Sequence, residues 1–190
     1  MIKRDEDLMI EYKSGNMDAL EEIFQRYKKR LLNYALRLLS NLADAEDAVG
    51  EVFFSITAHK HYEPKAKFST WIYTIAHNVC IDRMRKRKKF VFLWTKRSPG
   101  SDYEHVDLPD PKPRQDDELE RKDREHFVKM AVNRLPAHYK EVLILREYQD
   151  LSYDDISKVL NCSIDKVKVL IFRARERLRK EMLPLIKEAR

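Results

Sequence analysis

SYDDISKVLNCSIDKVKVLIFRARERLRK, residues 152–180, reads as a short amphipathic helix, a tight turn and a second helix with a basic face. Ser152 can cap the first helix, and Asp155 in the first turn completes a capping-box pattern. Ile156, Val159 and Leu160 then supply an i, i+3, i+4 apolar stripe. Asn161-Cys162-Ser163 is too short for anything but a turn. Asn161 is the non-glycine residue that most easily adopts a positive φ there, and Ser163 can cap the next helix. That helix is expected to bury Ile164, Val167, Ile171 and Ala174 and to turn Lys166, Lys168, Arg173, Arg175, Arg177 and Arg179 mostly elsewhere. Two helices joined by a turn of about three or four residues, the second one basic, is the helix-turn-helix arrangement that lays a helix in the DNA major groove. A helical hairpin with a charged face also arises without any DNA to read. Here, though, cap, turn residue, stripe and basic face all agree within one segment.

Outward from this segment, composition points to an all-α protein. The 190 residues hold only three glycines, and 3.6-residue apolar periods recur along most of the chain. A chain 43% hydrophobic and 37% charged can build a core, and the net charge of +6 suits a polyanionic partner. Cys80 and Cys162 lie far apart with no CxxC or Cys/His cluster, so they read as small buried hydrophobes in a reducing compartment, and no metal or cofactor is implied. No run approaches the ~18 apolar residues of a membrane span, and the N-terminus has no signal-peptide core. A cytoplasmic protein without membrane insertion is the expectation.

Three zones follow one another. Residues 1–90 are helical in pattern, 91–116 form a linker, and 117–187 are helical again with a break at Pro136. Pro99, Pro109, Pro111 and Pro113 crowd the linker. Between Ser98 and Glu125 there are ten acids and five bases, so the tether is acidic within a basic protein. The fold expected is two small helical domains joined by a Pro-rich acidic linker, the second a helix-turn-helix. In the first zone Asp5 is read as the cap of a short helix, and a longer one starts after Asn16. A third runs from Asp44 to His59, and a fourth opens at Ser69 and ends near Lys89.

Two further constellations carry charge. Asp44, Asp47 and Glu51 share one helix face as an acidic ridge, which is either solvated surface or a dock for a basic partner. DRMRKRKK (82–89) sets six bases against one acid at a helix end. Cations there complement the helix dipole. With Trp71, Tyr73, His77 and Asn78 upstream on the same helix, they also suit single-stranded nucleic acid, where cations track phosphates and rings stack on unpaired bases. Trp71 reads equally well as a core residue.

DAEDAVGEVFFSI (44–56), KFSTWIYTIAHNVCIDRMRKRKK (67–89) and LPAHYKEVLILREYQDLSYDDISKVLNCSIDKVKVLIFRARERLRK (135–180) come in this order with the linker between the last two. Together they resemble the extracytoplasmic-function group of bacterial RNA polymerase sigma factors over nearly the whole chain. The resemblance implies a region-2 domain at 1–90, a tether at 91–116 that mimics nascent RNA by its charge, and a region-4 domain at 117–187. It implies no enzymatic chemistry. Core RNA polymerase is the implied partner, through the clamp coiled coil and the flap of its two large subunits. Asp44, Asp47, Glu51 and Phe54 are the docking residues. Opening of the −10 promoter element, with capture of a flipped base, is implied for His61, Phe68, Ser69, Trp71, Asn78, Arg83, Arg85 and Lys86. Reading of the −35 element is implied for Ser163, Lys166, Lys168, Arg173 and Arg175. An anti-sigma factor is the usual regulator in the family.

The chain also departs from the family pattern. Gly50 stands where the docking helix usually has glutamine, and Asn161 where the turn usually has glycine. Val169 and Leu170 replace a small hydroxyl residue and an arginine in the second helix of the helix-turn-helix, and neither can bond a phosphate or a base edge. The −35 contacts are therefore expected to rest on the four cations. Two other readings compete. A stand-alone helix-turn-helix regulator would dimerise and bind a palindrome without polymerase. An enzyme such as a nuclease finds no HExxH, P-loop or acid–histidine cluster in the sequence.

Overall fold

The computed structural model describes residues 3–58, 67–95 and 127–188, and every regular element among them is helical. The chain divides into two units, one built mainly from residues before 107 and the other mainly from those after.

Four helices make the first unit: α1 (Asp5–Lys13), α2 (Met17–Leu39), α3 (Leu42–Ala58) and α4 (Phe68–Thr95). Turn chemistry separates the first three. Gly15, at φ +103°, takes the chain through a conformation that a Cβ would strain. Asn16 then caps α2 by accepting the Asp18 amide at 3.1 Å. Ser40 ends α2 in the left-handed region, and Asn41 starts α3 by accepting the Asp44 amide at 2.8 Å. Leu20 and Phe24 on the apolar period of α2 are half-buried, and its core residues are Ile23, Tyr27, Leu31, Tyr34, Ala35, Leu38 and Leu39. They meet Ala45, Ala48, Val49, Val52 and Ile56 of α3 and Phe68, Ile72, Tyr73, Ala76, Val79 and Cys80 of α4. Aromatic rings set the spacing, with Tyr27 edge-on to Phe68 at 5.3 Å and Tyr34 edge-on to Tyr73 at 5.5 Å. Burial pushes the Tyr73 hydroxyl up to about 12 and that of Tyr27 higher still, where a hydrogen bond to Asp5 adds to the effect.

That bond corrects the reading of Asp5. Asp5 is the first residue of α1 and not its cap. Its carboxylate accepts from Tyr27 Oη and Arg26 Nη1, each at 2.5 Å, and so ties α1 to α2. The neighbouring Glu6 reaches further: its Oε1 accepts the Phe68 amide at 2.8 Å, so a side chain of α1 caps the start of α4. Hence α4 opens at Phe68 rather than Ser69, and it runs on to Thr95 rather than stopping near Lys89. The third helix likewise begins at Leu42, earlier than Asp44.

The second unit contains helical residues 127–133 (α5), α6 (Ala137–Leu143), a π-helical turn at Ile144–Tyr148, α7 (Tyr153–Val159) and α8 (Ile164–Glu188). Its core gathers Ala131, Val132, Leu135, Val142, Leu143, Ile144, Leu145, Val167, Ile171 and Ala174, with α6 packed on α8. The capping box forms in both directions: the Asp155 amide donates to Ser152 Oγ at 3.1 Å, and the Ser152 amide to Asp155 Oδ2 at 3.3 Å. Ser163 caps α8 by accepting the Lys166 amide at 3.2 Å. One detail differs from the sequence reading: Ile164 is 40% exposed rather than inward. The helix α8 continues through Pro184 to Glu188.

Asn161 sits at φ +47°, in the left-handed region that the turn demands. Asn161→Ala should therefore cost about 1 kcal/mol in thermal unfolding, while Asn161→Gly should cost nothing or stabilise slightly. Equal midpoints for all three proteins would mean that the turn does not hold this conformation.

Candidate nucleic-acid and protein interfaces

The acidic ridge stands on the outer face of α3. Asp47 and Glu51 are exposed, and Phe54, one further turn along the same face, leaves 73% of its surface bare. Asp44 is half-buried in the first helical turn, where its charge complements the helix dipole. Gly50 lies beside this row, and a Cβ built there meets nothing within 4 Å. Carboxylates next to an uncovered large ring give a surface that combines charge with apolar area, as protein-docking patches do.

The basic run on α4 splits by helical phase. Arg83 turns back onto α3: its Nη2 donates to Glu51 Oε2 at 3.0 Å, and its Nη1 lies 3.7 Å from Asp47 Oδ2. Only 25% of its side chain is exposed, and its Nε is buried with no hydrogen-bond partner among the described residues. One turn on, Arg87 Nη1 donates to Leu39 O at 3.3 Å and so serves the C-terminal end of α2. Arg85 and Lys86 point outward, Arg85 with Asp82 at 3.6 Å. Asn78 is exposed further up the helix, and Ser69 and Trp71 are half-buried at its start. Trp71 is half-buried and its ring packs on Phe68 at 5.7 Å, so part of it belongs to the core.

Phe68 is a correction. It is fully buried, wedged between Tyr27 and Trp71, so its ring has no free face for a base. The resemblance placed it among nucleic-acid contacts because it opens the helix that carries them. Its own surroundings make it a core anchor. His61 lies outside the described residues.

On α8 the buried stripe Val167, Ile171 and Ala174 fixes the helix rotation, so Lys166, Lys168, Arg173 and Arg175 all stand exposed. Two are already paired. Lys168 Nζ meets Asp165 Oδ1 at 3.0 Å, and Arg175 Nη2 meets Glu147 Oε1 at 2.7 Å, a pairing that holds the Arg175 guanidinium above its ordinary pKa. Such exposed pairs are worth well under about 1 kcal/mol each and yield readily to a phosphate. Ser163 is occupied as a cap through its oxygen but keeps its hydroxyl proton to donate. The residues missed from sequence are the inward uses of Arg83 and Arg87. A spacing of four within the basic run, matching the helix period, is the signal that could have separated them from Arg85.

Two helical units, one with an acidic ridge beside an aromatic-cationic helix and one a helix-turn-helix, invite comparison with known proteins. Residues 23–90 match the family model for Sigma-70 region 2, and residues 128–178 match that for Sigma-70, region 4. The ECF RNA polymerase sigma factor SigW of Bacillus subtilis (strain 168) is 31% identical over 178 residues, spanning 91% of this chain and 94% of SigW. The chain belongs to the ECF RNA polymerase sigma factors. Its function is theirs: it directs RNA polymerase to promoters. RNA polymerase sigma factor YlaC of the same strain is 29% identical over 174 residues, covering 91% of this chain and 97% of YlaC. Among solved structures, the sigma factor RpoE in complex with the anti-sigma factor NepR from Bartonella quintana matches with a TM-score of 0.69 and 27% identity, over 90% of this chain and 98% of that one. Among the described residues of this sigma factor, no acid, histidine or cysteine cluster could hold a metal ion, and no helix is long and apolar enough to cross a membrane.

Gly50→Ala should raise the stability of the sigma factor by about 1 kcal/mol, because the added methyl removes backbone freedom in mid-helix and meets open space. A thermal melt checks it. A lowered midpoint would show that this stretch of α3 is not held as regular helix.

Proposed function

We propose that the two units divide promoter recognition between them. Residues 1–90 dock on the clamp coiled coil of the polymerase through Asp47, Glu51 and Phe54, with Asp44 beside them. The same unit grips the −10 element through Ser69, Trp71, Asn78, Arg85 and Lys86, with His61 in the preceding segment. Arg83 belongs to the dock rather than to the DNA face, since it holds Asp47 and Glu51 in place from α4. Residues 117–187 read the −35 element through Ser163, Lys166, Lys168, Arg173 and Arg175 and meet the polymerase flap, and the stretch that follows the end of α4 at Thr95, up to 116, tethers the two units. The protein has no chemistry of its own and works in the cytoplasm. An anti-sigma factor holds it silent; the Bartonella quintana relative RpoE was solved in complex with one, NepR.

One observation carries this reading: the outward faces differ in kind. On α3 the face is acidic and apolar, which repels nucleic acid and suits a basic protein helix. On α8, and on the outer side of α4, the exposed charge is largely cationic.

Core polymerase together with this chain should yield discrete run-off transcripts from genomic fragments of the source organism, and core alone should not. Failure with every fragment would refute the assignment. Tight, palindrome-specific duplex binding by the free protein would favour a stand-alone regulator instead. For the dock, Phe54→Ser with Glu51→Gln should cut co-purification with core polymerase at least about tenfold, while stability stays within about 0.5 kcal/mol of the parent. Neutral replacements are chosen because lysines there would face Arg83. For the DNA face, Lys168→Ala should lower affinity about equally on all promoters and reduce the slope of log affinity against log salt by about 1; an unchanged slope would remove Lys168 from the phosphate contacts.

A further inference from the structure

The outermost line of α8 is not cationic. With Val167, Ile171 and Ala174 buried, the residues diametrically opposite are Asp165, Val169, Phe172 and Glu176, spaced i, i+4, i+7, i+11. Val169 is 47% exposed and Phe172 69% exposed, adjacent on this line, and the cations Lys166, Lys168 and Arg173 flank them. The carboxylates at either end are offset locally, Asp165 by Lys168 at 3.0 Å and Glu176 by Arg179 at 3.5 Å. An apolar pair at the crest of a helix, ringed by cations, is poorly suited to water and to a second copy of the same basic surface. It does suit a polyanion that carries apolar groups between its phosphates.

Duplex DNA has one such group in its major groove, the C5-methyl of thymine. We propose that Val169 and Phe172 form the base-reading centre of α8 by packing on thymine methyls, so that they set which bases the −35 element prefers. This rests on the reading that α8 enters the major groove and deepens it. The flanking cations hold the helix to the phosphates without regard to sequence, whereas the crest discriminates. Thymine alone offers an apolar group there. Cytosine, adenine and guanine present polar edges that Val169 and Phe172 would desolvate without pairing. The absence of a hydrogen-bonding side chain at position 169 therefore gives a positive preference.

Holoenzyme reconstituted from the full chain is tested on a promoter fragment from a mapped start site, with each thymine upstream of the −10 element replaced singly by deoxyuridine, which removes only the methyl. Wild-type holoenzyme should bind about fourfold more weakly at one or two of these positions, the cost of exposing one methyl group. Holoenzyme with Val169→Ala and Phe172→Ala should show no such difference at the same positions. Val169→Thr, which keeps a methyl of the same shape, should retain it. Both residues are exposed, so the variants should fold. Indifference of the wild type to every replacement overturns the proposal, and so does a sensitivity that the double alanine variant keeps. The latter would leave the crest free for a protein partner. Absence of any transcript from the all-thymine fragment is a different result and would overturn the promoter reading itself.

Discussion

Burial of one stripe of α4 governs what the first unit can present. Phe68, Ile72, Tyr73, Ala76, Val79 and Cys80 are buried with the apolar faces of α2 and α3, which fixes the rotation of the helix about its axis. Each large side chain among them contributes roughly 1.5–3 kcal/mol by leaving water, so turning the helix by even one residue would forfeit more than any surface charge could return. With the rotation fixed, the fate of each cation follows from its phase. Arg83 is half-buried and bonds to α3, Arg87 is exposed but reaches back to the end of α2, and Arg85 and Lys86 point outward. A run that looks uniform in sequence is thus two sets of residues, one that braces the helices and one that is available to a polyanion.

The same bracing links the two faces of this unit. Arg83 leaves from the helix whose outer side carries Asn78 and Arg85 and ends on the carboxylates of the acidic ridge. A guanidinium held by two carboxylates keeps their oxygens at a defined height above α3, which long free side chains would not do. Next to them Phe54 supplies the apolar area that such a patch needs if it is to bind rather than merely orient. Exposed ion pairs add little to stability, so the worth of this arrangement lies in geometry.

Much of this was legible from local pattern. The α2 stripe, the turn at Asn161, the Ser152–Asp155 box and the cap at Ser163 involve partners within a few residues, and a helical period or a cap chemistry announces each of them. What escaped depends on partners far along the chain. The Glu6 carboxylate that caps α4 is separated from Phe68 by 62 positions, and Asp5 reaches Arg26 and Tyr27 across 21 and 22. No window of sequence contains both ends of such bonds. Phe68 was misplaced for a related reason: a family pattern marks the start of a helix without saying whether a given ring there faces out or in, and only the packing of Tyr27 and Trp71 decides. Ile164 departs in the other direction, since its place in the first turn of α8 puts it at the margin of the stripe that Val167 and Ile171 define.

If α8 enters the major groove as proposed, the contrast between its cations and its apolar crest would let a single helix be both adhesive and selective. Phosphate contacts scale with salt and tolerate any sequence, so adding more of them raises affinity for all DNA alike. Discrimination must come from groups whose interaction changes with the base, and a methyl against a valine is such a group, short-ranged and independent of ionic strength. In that reading each unit alone would offer only a few contacts of either kind. Held together on one polymerase, their affinities would multiply, because the second engagement becomes intramolecular once the first is made. On the proposed division of labour, a sigma factor built from two modest surfaces would stay loosely bound to DNA when free and become specific only in the assembly that needs it.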